Sequence, residues 1–345
     1  MGRDKSSEPT MADVARQAGV GVATVDRVIN RRAPVREDTV LRVLAAAEAL
    51  GFRRAGLIRR RAGEQTRAPT LGFVLQSARS PFYRTLGAAL QAAAQAMPAP
   101  SPKVVLSYLE DLTPRRVAQG IVELGQSCDA VAVVAADHPQ ISQAVESVSA
   151  QGVPVFALVS DLTAPSLAGY VGVDNRKVGH TAAWTMARLC RPGKVGLILG
   201  SHRYLCQEQC EVSFRSWLRE SAPAFQVLES LVSLEDVGLA RATTQELLHL
   251  HPDLVGVYVA GGGVEGVIEA LREAARPDLV VVCHDLTEVT RQAVLDGCVT
   301  LLLSHPYDWM AVRLCEAMVS AVRTPPGGTK LQAALPFVVC TPANM

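Results

Sequence analysis

Eight short apolar stretches punctuate the chain: Leu71–Gln76, Val104–Tyr108, Ala130–Ala135, Val155–Val159, Val195–Leu199, Val255–Val259, Val280–Cys283 and Thr300–Leu303. Segments of helical periodicity lie between them, among them Leu86–Met97, Arg115–Gly125, Val178–Leu189 and Trp309–Val322. A strand that is apolar on both sides must be covered on both faces, and βα crossovers supply the covering helices. The alternation therefore predicts parallel, doubly wound sheets. There is enough chain for two such units of about four to six strands each. Ligands of open α/β sheets sit beyond the carboxyl ends of the strands, so two lobes would share a cleft. The residues that follow each strand are the ones to inspect: 77–83, Asp137, Ser160 and Asp161, Asp174, 201–203, 261–263, Asp285 and 304–307.

The first seventy residues read differently. In Thr10–Asn30, TMADVARQAGVGVATVDRVIN, Thr10 is placed to cap a helix and Asp13 to return the bond. Met11, Val14, Ala15 and Ala18 recur on one helical face, and Gly19 offers the positive φ that ends the helix. Val20 then enters the core of the turn. A second short helix buries Val25, Val28 and Ile29, which leaves Val22, Ala23, Asp26, Arg27 and Asn30 facing outward. A third helix, Glu37 to Leu50, is predicted from Val40, Val43, Leu44, Ala47 and Leu50, with Gly51 ending it and Phe52 folding back. A tight two-helix unit of this kind is a helix-turn-helix, whose second helix enters the major groove of DNA.

Charge agrees with that reading. Residues 1–67 carry 14 Lys/Arg against 8 Asp/Glu, whereas the remaining 278 carry 20 against 25. A basic head on a mildly acidic body is expected where only the head meets phosphates. The opening MGRDKSSEPT has no apolar stretch behind its charges, and no run approaches the ~18 apolar residues of a membrane span. The eight irregularly spaced cysteines are accordingly expected to be reduced core thiols of a cytoplasmic protein.

The order A-D-V-A-x-x-A-G-V-x-V-A-T-V-x-R-V-x-N, from Ala12 to Asn30, resembles the head of the lactose-repressor (LacI/GalR) family of bacterial transcription factors. The remainder looks like the periplasmic sugar-binding-protein fold that this family carries as its sensor. Its local matches are Ser80–Tyr83 (SPFY), Val171–Arg176 (VGVDNR) and His284–Thr287 (HDLT). The resemblance implies an α/β protein with a three-helix head over 1–52, a hinge over 53–68 and an effector-binding and dimerisation body over 69–345. Lobe one is expected at about 69–173 plus 304–325, and lobe two at about 174–303 plus 326–345. The implied partners are a near-palindromic double-stranded operator, a small-molecule effector such as a sugar or polyol, and a second copy of the chain.

The resemblance also distributes roles. Arg27 suits bidentate readout of guanine, and Val22 and Ala23 suit contact with base edges. Thr24 and Asn30 suit phosphate positioning. Asp26 departs from the family's usual serine and should turn to Arg27 or accept from a cytosine amino group. The arginine-rich linker lacks the family's proline and leucine lever, since Arg54 and Arg61 stand there, so arginine contacts to minor groove or phosphate are expected in place of an apolar wedge. The DNA-contact set is thus Thr10, Val22, Ala23, Thr24, Asp26, Arg27, Asn30, Arg59 and Arg61.

For the effector, Phe82 and Tyr83 suit stacking on the apolar face of a sugar, and Asp137 and Asp285 suit accepting from its hydroxyls. Ser80, Ser160, Cys210, Gly261 and Ser304 complete the expected set. Sugar-binding relatives commonly place arginines where Ser160 and Cys210 stand, and Asn and Gln where Gly261 and Ser304 stand, so the effector class stays open.

His202, Cys206 and Cys210 would share one face of a continuous helix, a spacing that could hold Zn²⁺. Gly200–Arg203 reads as a loop, however, and no fourth ligand lies near, so pocket or core roles are preferred and no metal or cofactor is expected. Gly261–Gly263 signals close backbone approach after a strand and lacks the spacing of a dinucleotide fingerprint. No nucleophile elbow, supported Cys-His pair or phosphate-gripping Lys-Ser/Thr loop is present, so enzymatic activity is not expected. The competing reading is a solute-binding or enzymatic α/β protein with an incidental basic head.

Overall fold

The computed structural model describes residues 9–30, 35–56, 58, 67–323 and 330–345. Its head starts with α1 (Met11–Ala18). The Asp13 N–H donates to Thr10 Oγ1 at 3.3 Å and the Thr10 N–H donates to Asp13 Oδ2 at 3.0 Å, so two helix-end donors are satisfied reciprocally. Gly19 ends the helix at φ 66°, a left-handed conformation that costs a residue bearing a Cβ about 1–2 kcal/mol. The helices α2 (Val22–Asn30) and α3 (Glu37–Ala49) follow. Val14, Val25, Ile29, Val43 and Phe52 meet in a core that shares no described member with the body and that also takes in Ile58, from the segment expected to be the hinge.

The body begins with β1 (Thr70–Gln76), α4 (Pro81–Ala96), β2 (Lys103–Leu109), α5 (Pro114–Ser127), β3 (Ala130–Val133), α6 (Pro139–Ala150), β4 (Val155–Leu158) and β5 (Gly169–Val173). These strands form a parallel sheet in the order β5-β4-β3-β1-β2. The chain then crosses into a second lobe through α7 (Asn175–Leu189), β6 (Lys194–Leu199), α8 (Leu205–Ser221), β7 (Gln226–Val227), β8 (Leu231–Val232) and α9 (Val237–Leu250). It continues there with β9 (Leu254–Val259), α10 (Val264–Ala274), β10 (Val280–His284), α11 (Glu288–Leu295) and β11 (Leu301–Ser304). The chain returns with α12 (Tyr307–Arg323), which packs on α4, and β12 (Leu331–Leu335), then finishes in lobe two with β13 (Val338–Cys340). All eight expected strands are present. One apolar cluster, from Phe73 and Leu90 to Phe214 and Tyr258, runs through both lobes, and each lobe adds a cluster of its own on the outer side of its sheet.

Two sequence expectations need correction. Residues 326–345 do not all belong to lobe two, because β12 pairs with β5 along Leu331–Leu335 and extends the first sheet; β13 alone joins the second, antiparallel to β11. The strand β5 was not anticipated, because glycines at 169 and 172 interrupt its apolar run. A Cβ at Gly169 would lie 2.7 Å from the Leu331 carbonyl oxygen, so the gap in the pattern marks the place where the returning strand closes in.

Because the head's core is its own, Ile29→Ala should destabilise the head by about 2–5 kcal/mol. Circular dichroism and calorimetry should show the loss in a separate low-temperature transition, with the main transition of the body unmoved.

Candidate functional site

On α2 the polar and apolar residues separate as the periodicity predicts: Val25, Val28 and Ile29 are buried, while Val22, Ala23, Arg27 and Asn30 are exposed. Val22, at the start of the helix, is 46% exposed. Thr24 and Asp26 are half-buried. Asn30 Nδ2 donates to Asp26 Oδ1 at 2.6 Å, so the carboxylate engages the next turn of its own helix. Thr10 Oγ1 donates to Asp13 Oδ2 at 2.6 Å in addition to accepting from Asp13, which commits this side chain to the cap. Arg59 and Arg61 lie outside the described residues. Where the linker reaches the body, Arg67 Nη2 grips both oxygens of Asp129 at 2.6 and 2.7 Å, and Asp129 also accepts from the Thr70 N–H.

A cavity of about 600 Å³ lies between the lobes, lined from the first by residues after β1 and β2 and from the second by residues after β8, β9, β10 and β11. Of the nine expected effector residues, Ser80, Phe82, Tyr83, Gly261 and Asp285 line it. Phe82 stands edge-on to Tyr83 and to His305, with ring centroids 4.8 and 5.7 Å apart. The backbone of Asp285 is held at φ 66°. Its Oδ1 accepts from the His305 backbone N–H at 2.9 Å and pairs with His305 Nδ1 at 2.7 Å. Burial alone would raise the Asp285 carboxyl, but the charge and hydrogen bonds of His305 outweigh it and hold the group below the usual carboxylate range.

Opposite stands Glu235, which the sequence reading missed. Gln207 Nε2 donates to its Oε1 at 2.8 Å, and the Gly262 N–H donates at 3.3 Å. A side chain at Gly200 or Gly262 would overlap this carboxylate, and one at Gly261 would overlap Gln207. Close approach at the triple glycine was therefore legible, but not the group that approaches. Burial pushes Glu235 upward against the pull of those two hydrogen bonds.

Matches to known proteins accord with this architecture. Residues 10–55 match the model of the bacterial regulatory proteins of the lacI family, and residues 71–322 match that of the periplasmic binding protein domain. The chain belongs to the periplasmic binding protein domain family and carries a lacI-family regulatory domain at its head. Its relatives include the HTH-type transcriptional regulator MalR of Streptomyces coelicolor, 30% identical over 56% of this chain and 55% of that one. The HTH-type transcriptional regulator GalS of Salmonella typhimurium is 29% identical over 64% of this chain and 66% of that one. The chain thus spans about half the length of the first of these relatives and somewhat more of the second. In fold, the body is similar to an ABC transporter solute binding protein from Burkholderia graminis C4D1M, solved in complex with D-arabinose. The TM-score is 0.73 at 20% identity, covering 80% of this chain and 96% of that one.

Four residues expected at the effector are absent from the cavity's lining. Asp137 accepts from the Thr163 N–H at 3.0 Å and the Thr163 hydroxyl at 2.9 Å, while its own N–H donates across the lobes to the Arg203 carbonyl at 2.7 Å. Ser160 is fully buried and accepts from the Cys206 N–H at 3.4 Å, again across the lobes. Cys210 is buried between α7 and α8 and donates to the Asn175 carbonyl at 3.4 Å. Ser304 accepts from the Leu286 N–H at 2.9 Å and donates to the His305 carbonyl, bracing the segment that carries Asp285. With Gln76 Nε2 donating to Tyr204 OH at 2.8 Å, the contacts of Asp137 and Ser160 make a polar seam between the lobes. Being just past a strand places a residue near the cleft; it does not decide whether the side chain meets the cavity or the other lobe.

The soft-ligand trio is also dispersed. His202 sits in a loop 3.0 Å from Glu211 Oε2, outside α8, while Cys206 faces the cavity and Cys210 the interior. Burial pushes the Cys206 thiol up to about 12, so it stays protonated and a poor metal ligand at neutral pH. All eight cysteines are free, and no helix of the described residues is long and apolar enough to cross a membrane.

His284 gives the cleft a pH signature. Burial pushes it down to about 4, despite the pull of Asp285, and its Nε2 lies 2.8 Å from Tyr258 OH. The unfolded chain protonates this histidine near its ordinary value of about 6.5 while the folded one resists. Stability should accordingly fall as pH drops from about 7 towards 4, by at most about 3 kcal/mol from this group. A thermal-denaturation series should show that decline in Tm, and His284→Gln should flatten it.

Proposed function

We propose that this chain is a sequence-specific DNA-binding transcriptional repressor whose hold on a near-palindromic operator is set by a small polyhydroxylated effector in the interlobe cleft. The observation that carries the reading is the union, in one chain with a lacI-family head, of an exposed α2 surface with a cleft of about 600 Å³. Arg27 reads guanine, Val22 and Ala23 meet base edges, and Thr24 and Asn30 hold phosphates, with Asp26 orienting Asn30. Thr10 acts through the helix it caps. Arg59 and Arg61 contribute phosphate or minor-groove contacts from the linker. The effector stacks on Phe82 and Tyr83 and bonds to Asp285. The D-arabinose held by the fold neighbour supports a sugar-sized occupant.

One head offers too few base contacts, so two copies act together on a two-fold site. Trp184, Leu189 and Val212 on α7 and α8, and Trp309 and Val312 on α12, are exposed apolar side chains suited to a second copy. The tether to the head is fixed to lobe one by Arg67 and Asp129, so a change in the angle between lobes shifts the spacing of paired heads. A few kcal/mol of coupling suffices, since ~1.4 kcal/mol is tenfold in affinity.

Fluorescence anisotropy with a duplex selected from a random library tests the proposal. The full chain should prefer that duplex over scrambled DNA, with affinity falling steeply as salt rises. Arg27→Ala should lose about 1–3 kcal/mol of discrimination per half-site. Asp285→Asn should keep DNA binding and lose the response to effector. Equal binding to every duplex at all salt concentrations would end the proposal.

A further inference from the structure

The charge lining the cleft is one-sided. Glu110, Glu235, Asp236, Glu265 and Asp285 face it against one arginine, Arg79. Arg79 is already paired with Glu110 at 2.7 Å, and His305 with Asp285 at 2.7 Å. Asp236 is engaged as the cap of α9, accepting from the Leu239 N–H at 2.7 Å. That leaves Glu235 and Glu265 without a cationic partner among the described residues.

Glu235 is also built into place. Leu234 and Glu235 are both held in left-handed backbone, at φ 51° and 61°, a strain that persists only where the surroundings enforce it and that clusters at functional sites. Gln207 and the Gly262 N–H grip one side of the carboxylate, and Gly200 and Gly262 give it room.

Meanwhile three of the lining's own side-chain donors are committed within the protein. Gln76 donates to Tyr204, Ser77 to Glu110, and Thr290 to the Asp285 carbonyl. One polar atom is stranded: His305 is only 7% exposed, lines the cavity, and its Nε2 has no hydrogen-bond partner among the described residues. The lining thus sets five carboxylates against one arginine and one paired histidine, and leaves a buried ring nitrogen unsatisfied among the described residues.

We propose that the effector is a polyhydroxylated molecule bearing a protonated amine, an amino sugar or amino polyol, seated with its nitrogen against Glu235. This rests on the cleft being the effector site. An ammonium group supplies three donors and the missing positive charge together, and charge-assisted hydrogen bonds are about twice as strong as neutral ones. The rings of Phe82 and Tyr83 favour a cation as well as a sugar face. An uncharged sugar leaves Glu235 uncompensated, and an acidic one adds repulsion.

Calorimetric titration and thermal shift of the full chain with matched triads test this. Suitable triads are D-glucosamine, D-glucose and D-glucuronate; D-galactosamine, D-galactose and D-galacturonate; and glucamine, sorbitol and gluconate. In at least one triad the amine should bind at least tenfold more tightly than the hydroxyl parent, with the acid weaker still. Glu235→Gln and Glu265→Gln, each checked for an unchanged Tm without ligand, should bring amine and parent towards parity. A hydroxyl parent or acid that binds as well as its amine overturns the proposal and leaves the effector reading standing. So does an amine preference that survives both substitutions. Silence from every triad, in binding and in operator affinity, counts against both readings.

Discussion

Parallel strands covered by helices on both faces leave a chain few places to display polar chemistry, and the richest is where the strands end. Here two such sheets face each other across a cleft, and several of the polar groups that line it follow a strand: Ser77 after β1, Glu110 after β2, Glu235 after β8, Asp285 after β10 and His305 after β11. The helices secure the sheets, and the apolar cluster that runs through both lobes secures their side-by-side arrangement. The loops are consequently free to hold strained or charged groups that a core could not tolerate.

Those groups are held by geometry rather than by solvent. Asp285 is kept ionised by His305 despite its burial, whereas Glu235 has only amide donors around it and shifts the other way. Two carboxylates in one cavity thus differ in proton affinity because one has a basic neighbour and the other does not. The rim is different in kind. Gln76, Asp137 and Ser160 meet lobe two through uncharged hydrogen bonds, each a modest net contribution that a small change of lobe angle can exchange for water.

Much of this was legible in the residues. The head could be read almost completely, since Thr10, Gly19 and the buried faces of α1 and α2 are local signals whose meaning does not depend on the rest of the chain. The long, uninterrupted strands were equally plain. What escaped were elements defined by distant partners: β5, whose glycines serve β12 some 160 residues later, and β12 itself, a half-exposed edge strand without an apolar run. The site divided in the same way. Phe82, Tyr83 and Asp285 follow long strands and were found; Glu235 follows a two-residue strand and was not. Asp137 and Ser160 stood in the right loops but turned towards the other lobe, a choice that no spacing encodes.

The path of the chain between lobes bears on its birth at the ribosome. The strand at one edge of the first sheet is supplied by residues 331–335, the last turn of its threading before the final strand. Synthesis proceeds from the amino end, and contacts so far apart in the chain form late. The head, with only local contacts, can be folded while the body behind it still lacks an edge. A nascent polypeptide would therefore present a finished head before the cleft behind it is complete, and a truncated product would carry that imbalance permanently.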